Sequence, residues 1–323
     1  MTAKRDITID TLRGVACILL VSYHVIGSND TNGLKLSEGF YRTLNDFLVY
    51  IRMPLFTFLS GYVYANRPYK SDFNRYIAGK ARRLLLPMLF VGTTFAILQS
   101  IIDGSNNQIQ NWHLLHIVPV AHFWFIEAIF IIFLCMIFLE HFKLLSGIST
   151  FSLVFGLSVF LYIYNINIDI EYFAFSGAIY LLPYFLFGLL VNRFKLEDKV
   201  GFFLKRVILL TTVLILYGIA DGYMSVESKY SFVSLVVGCL SCFVLLSFRL
   251  QSALLAQIGV FSYGIYLYHV FFTAGSRIVF TNIGVTNISL LFSISLLLGI
   301  IGPVIVDVVF RKNEFSRKNL LGK

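Results

Sequence analysis

Apolar blocks of about twenty residues alternate with short polar connectors along this chain. A helix needs about 20 mostly apolar residues to cross a bilayer. That pattern predicts ten spans: Asp10–Gly27, Tyr41–Ala65, Leu84–Ile102, Phe123–Phe142, Ile148–Ile168, Phe173–Asn192, Phe203–Ala220, Phe232–Phe248, Leu254–Thr273 and Ile288–Phe310. The expected fold is therefore all-α, a polytopic integral membrane protein of about ten transmembrane helices. A single transmembrane domain over residues 1–323, with no separate soluble domain, is expected.

Composition agrees with the pattern. The chain is 58% hydrophobic and only 13% charged, with a mean hydropathy of +0.80, so the lipid bilayer is its main solvent. A net charge of +9 would point to nucleic acid in a soluble protein. Here it reads as basic residues held in cytoplasmic loops, and no nucleic-acid partner is expected. With the N-terminus in the cytoplasm, only Lys35, Arg42, Lys229 and Arg277 of the 26 basic residues fall in outer connectors, and Arg52 falls within a span. The same rule places both termini in the cytoplasm. The connector from Asn66 to Arg83 is the most basic, and no cleavable signal sequence is expected. Cys17, Cys135, Cys239 and Cys242 all lie in apolar segments, where packing is their expected role.

Ionisable groups inside spans are costly and mark candidate sites. Arg13 and His24 bound the stretch "RGVACILLVSYH". Eleven steps at about 100° bring them to within roughly 20° of one face, about 16 Å apart along the axis. That geometry suits a long anionic ligand such as coenzyme A, with phosphate at Arg13 and the thioester at His24. An imidazole there can act as general base on a hydroxyl. Alternatively, Arg13 snorkels to the headgroups with Asp10 as its i,i+3 partner, and His24 bonds a neighbouring helix. Arg52, in "YIRMPLFTFLSGY", must pair or face a wet cavity, and Glu127, in "HFWFIEAIF", is its expected ion-pair partner. Ser60 and Gly61 allow close helix approach. In "FSYGIYLYH" His269 approaches the outer face, with Tyr266 its i,i+3 neighbour and Tyr263 that of Tyr266, a pattern that also suits an aromatic interface belt. His113 and His116 form an H-x-x-H without a carboxylate at useful spacing, and no metal site is expected.

Taken in order, "IDTLRGVACILLVSYH", "MPLFTFLSGYVY", "KARRLLLP", "HFWFIEAIF" and "FSYGIYLYH" resemble the acyltransferase-3 family of membrane O-acyltransferases, which modify surface polysaccharides and related glycans. The resemblance covers nearly the whole chain. It implies transfer of an acyl group, commonly acetyl, from cytoplasmic acyl-CoA to a glycan hydroxyl at the outer side of a bacterial cytoplasmic membrane. Acetyl-CoA is then a donor substrate, not a tightly bound cofactor. The acceptor is a surface or lipid-linked glycan. On this reading His24 is the catalytic base and Arg13 its motif partner. Lys80, Arg82 and Arg83 hold the CoA phosphates, in competition with a purely topological role. Arg52, Trp124, Glu127 and His269 are candidates for binding the acceptor. Many relatives with "MPLF" carry histidine before the methionine, where this chain has Arg52, so no histidine role transfers to that position. The additional soluble domain common in the family is not expected after "RKNEFSRKNLLGK". A transporter or flippase is the rival class, but such folds often show internal symmetry and broken helices, and the sequence shows neither.

Overall fold

The computed structural model describes residues 6–102, 111–165, 170, 172–220 and 229–323. Among the described residues there is no strand, and the helices in chain order are α1 (Ile7–Ile26), α2 (Phe40–Tyr64), α3 (Phe73–Ile101), α4 (Trp124–His141), α5 (Ile148–Tyr164), α6 (Phe175–Arg193), α7 (Leu196–Lys199), α8 (Phe202–Ala220), α9 (Phe232–Ser247), α10 (Ala253–Val260), α11 (Ser262–Asn282), α12 (Ile288–Phe310) and α13 (Glu314–Leu321). Only helices satisfy every backbone polar group within an unpaired segment in lipid. Seven helical stretches among the described residues are long and apolar enough to cross a membrane: Ile7–Ile26, Phe40–Tyr64, Phe73–Ile101, Ala121–His141, Tyr172–Arg193, Phe202–Ile219 and Ile288–Phe310. The pair α10–α11 makes an eighth if counted as one broken span. The remaining expected spans, α5 and α9, are apolar helices of 17 and 16 residues. Residues 166–168 of the fifth expected span lie outside the described residues.

Two expectations are corrected by the helix ends. The third span was expected from Leu84, but α3 begins at Phe73, so Arg75, Lys80, Arg82 and Arg83 stand on the helix and not in a connector. Asp72 starts it, its carboxylate accepting the backbone N–H of Arg75 at 3.1 Å. The ninth expected span is broken: α10 and α11 meet at an 81° bend around Phe261.

The described residues form two compact units, the first bounded by Met1–Phe56, Gly201–Lys229 and Val236–Val309, the second by Thr57–Val200, Tyr230–Leu235 and Phe310–Lys323. In the first, α1 and α10 pack backbone against backbone. A methyl at Gly14 would lie 2.0 Å from the carbonyl oxygen of Leu255, and one at Gly259 would lie 1.9 Å from that of Asp10. The Ser252 backbone N–H donates to the Thr11 hydroxyl at 3.2 Å across the same contact. Cys17, Val21, Val25 and Ile265 form a buried apolar cluster beside it.

In the second unit, Gly61 meets the Phe185 carbonyl and Gly188 meets that of Phe58, the close approach expected of the small residue in "LSGY". Arg193 of α6 is ion-paired with Glu140 of α4. The chain end folds as α13 along α3: Leu321 is buried, Phe315 touches Phe90, and Gly322 sits against the Arg83 carbonyl.

Candidate functional site

The site in the first unit is built on the last turn of α1. Asp6 caps this helix by accepting the Thr8 N–H at 2.9 Å, and it runs unbroken to Ile26. The shared face of Arg13 and His24 follows from that continuity. Arg13 takes the i,i+3 partner foreseen for it: its Nη1 lies 3.4 Å from the Asp10 carboxylate, and its side chain stays 33% exposed.

His24 is half-buried and flanked by two rings. Tyr23 stands edge-to-face at 4.8 Å between centroids, and His269 does the same at 4.8 Å with 62° between planes. Arg52, only 4% exposed, lays its guanidinium 3.9 Å from the centre of the Tyr23 ring. Its Nη1 donates to the Asn45 side-chain oxygen at 3.1 Å, one face and two turns away on α2. Asn45 in turn donates to the Gly27 carbonyl at 2.9 Å, which Arg42 also reaches at 3.2 Å. Gly27 closes α1 with φ of +100°, a conformation that favours glycine. Thus α2 grips the end of α1 three residues beyond His24. Sequence reasoning missed Tyr23 and Asn45. The i,i+7 register of Asn45 and Arg52 was the available signal.

His269 is fully buried, its Nδ1 2.9 Å from the carbonyl oxygens of both Ile265 and Tyr266. α12 packs one turn away through Gly299, where a methyl would lie 2.5 Å from Thr273 and 2.6 Å from Val21. Thr273 and Val21 stand about one turn from His269 and His24 respectively, so three helices converge at this level.

The other expected residues belong to the second unit. The basic cluster divides: Arg82 and Arg83 are exposed, whereas Lys80 is turned onto the Phe133 ring, its Nζ 3.3 Å from the centroid. Trp124 packs against Gly177, where a methyl would meet its ring at 2.8 Å. Both carboxylate oxygens of Glu127 are buried with no hydrogen-bond partner. Glu127 belongs to the second unit and Arg52 to the first, where Arg52 meets Asn45 and Tyr23. His116 folds back on α3: its Nε2 lies 2.9 Å from the Thr93 hydroxyl and its ring covers Gly92. Burial there lowers its pKa from the ordinary histidine value. His113 is exposed.

A half-exposed imidazole with a buried imidazole on one side and an arginine-backed tyrosine on the other is suited to proton transfer. A family model described as an acyltransferase domain matches residues 6–308, from the cap of α1 into α12. The chain belongs to the acyltransferase-3 family. All the candidate site residues lie inside the matched region of this acyltransferase-3 chain. Among curated relatives, the nodulation protein NolL of Mesorhizobium japonicum is 29% identical over 149 residues, 45% of this chain and 39% of that protein. The nodulation protein NolL of Sinorhizobium fredii is 33% identical over 90 residues, 27% of this chain and 23% of that protein. The matches span well under half the length of these relatives. No solved structure matches the chain significantly.

Proposed function

We propose that this acyltransferase-3 protein transfers an acyl group, acetyl in the simplest case, from cytoplasmic acyl-CoA to a hydroxyl of a surface or lipid-linked glycan. The observation that carries the reading is the setting of His24 between Tyr23 and His269 on the helix that also bears Arg13, in a chain of this family. His24 takes the hydroxyl proton, the alkoxide oxygen attacks the thioester carbonyl carbon, and the carbon–sulfur bond breaks. The proton passes from His24 to the departing sulfur, releasing CoA as the thiol. The buried guanidinium of Arg52 supplies positive charge near the oxyanion formed in this step.

The remaining roles accompany the proposal. Arg13, Arg82 and Arg83 meet the CoA phosphates, and the aromatic setting of Lys80 makes it the weakest of the four for that task. Trp124 and Glu127 engage the acceptor, for which two buried carboxylate oxygens offer acceptors to sugar hydroxyls. The chain crosses the cytoplasmic membrane ten times, counting α5, α9 and the bent α10–α11 pair, with both termini in the cytoplasm.

The test is mass spectrometry of surface glycans from cells carrying the intact gene, a deletion, or His24→Ala. Loss of one acyl mass in both mutants supports acyl transfer with His24 as base. Unchanged acylation in His24→Ala, with the protein present in the membrane, overturns that role. A glycan that is missing altogether in the deletion points to transport instead.

A further inference from the structure

The buried histidine of α11 makes a contact with His24 that its sequence position did not announce. His269 presents Nδ1 to two backbone carbonyls at 2.9 Å each. A carbonyl oxygen only accepts, so Nδ1 must carry the ring proton. The neutral ring then holds its lone pair on Nε2. The ring is fully buried, and its Nδ1 is anchored by those two carbonyls. His24 lies edge-to-face with this ring, 4.8 Å between centroids.

We propose that His269 is the positioning residue for His24, its Nε2 accepting one ring N–H of His24 so that the other His24 nitrogen faces the acceptor hydroxyl. This rests on the acyl-transfer reading above. In free enzymes such contacts are often poorly aligned and tighten when substrate is bound. The proposed bond needs His24 to turn about its side-chain torsions until its N–H meets Nε2, from rings already 4.8 Å apart. When His24 takes the hydroxyl proton, both of its nitrogens carry hydrogen. The imidazolium then donates to Nε2 of His269 while its new proton waits for the CoA sulfur. His269 itself neither gains nor loses a proton. Other groups facing the pair are Tyr23 on α1, with Arg52 of α2 behind it, and Tyr266 on α11.

Two substitutions separate this role from a structural one. Glutamine at 269 keeps an acceptor near the place of Nε2. Asparagine keeps a donor near Nδ1 but is too short to reach His24. The measurement is steady-state transfer from acetyl-CoA to isolated acceptor glycan in membranes, with thermal unfolding of each purified variant as a check on folding. His269→Asn is expected to lower kcat about a hundredfold at unchanged KM for acetyl-CoA, and His269→Gln is expected to keep most of kcat. Added to His24→Ala, His269→Asn is expected to cost nothing further, because the two act as a unit. The proposal is overturned if His269→Asn retains kcat while His269→Gln loses it. It is overturned equally if both variants merely raise KM, if both lose activity only in step with stability, or if the double variant loses activity additively. Full activity in His24→Ala alone would instead remove the acyl-transfer reading of His24, a separate outcome read from a separate variant.

Discussion

Arg52 holds its guanidinium carbon over the Tyr23 ring, 3.9 Å from the centre, and Tyr23 is the chain neighbour of His24. Guanidinium on an aromatic face is worth up to about 2 kcal/mol when desolvated, and the planar group stacks in a way that an ammonium does not. Arg52→Met and Tyr23→Leu are each expected to lower acyl transfer about tenfold or more. Tyr23→Phe, which keeps the ring face, should stay close to wild type, and Arg52→Lys should fall between. The double variant Arg52→Met/Tyr23→Leu should cost less than the sum of the two. Additive losses in a double-mutant cycle would show that the stacking does not contribute.

The approach of α1 to α10 leaves no room for side chains at two positions. Gly14→Val and Gly259→Val each drive a side chain into a backbone carbonyl about 2 Å from the new Cβ. Each is expected to destabilise by about 1–3 kcal/mol or more, since backbone cannot move aside as a side chain does. Gly156 on α5 has no neighbour within 4 Å, and Gly156→Ala should be neutral or stabilising by up to about 1 kcal/mol. Thermal unfolding in detergent distinguishes the two classes.

Arg82 and Arg83 are exposed on α3, while Lys80 is held by aromatic rings. Charge reversal of both arginines is expected to weaken acyl-CoA binding about tenfold at low salt, with the difference shrinking as ionic strength rises. Lys80→Met should change that affinity less than either reversal. Calorimetry with acyl-CoA checks both statements. Equal affinity in the double reversal would leave Arg82 and Arg83 with the topological role alone.

His116 sits against Gly92 and Thr93, and burial lowers its pKa. The folded protein therefore binds fewer protons at this site than the unfolded chain does. Stability from this group is complete above the ordinary histidine pKa of about 6.5 and is lost as pH falls below it. His116→Gln should flatten the decline in melting temperature between about pH 6.5 and 5. A slope equal to that of the wild type would rule out His116 as a source of the decline.

The residues themselves settled a good deal before any tertiary contact was known. Ten apolar blocks predicted helices, and nine carry one helix each while the ninth in order carries the bent pair α10–α11, because a backbone buried in lipid has to satisfy its own hydrogen bonds. The shared face of Arg13 and His24 was legible for the same local reason: one unbroken helix fixes the angle between any two of its residues. What lies beside His24 was decided elsewhere. His269 meets it because α10 packs on α1 through Gly14 and Gly259 and because the chain then bends by 81° near Phe261. None of those events has a local signature in "FSYGIYLYH", which reads as one continuous span. Arg52 shows the same limit. Charge and depth pointed to a carboxylate, Glu127, and gave no sign of the aromatic face and the amide oxygen that Arg52 meets within its own unit. Local rules fix which residues share a helix face, but the contacts of a buried charge depend on which helices meet, and that is a property of the whole packing.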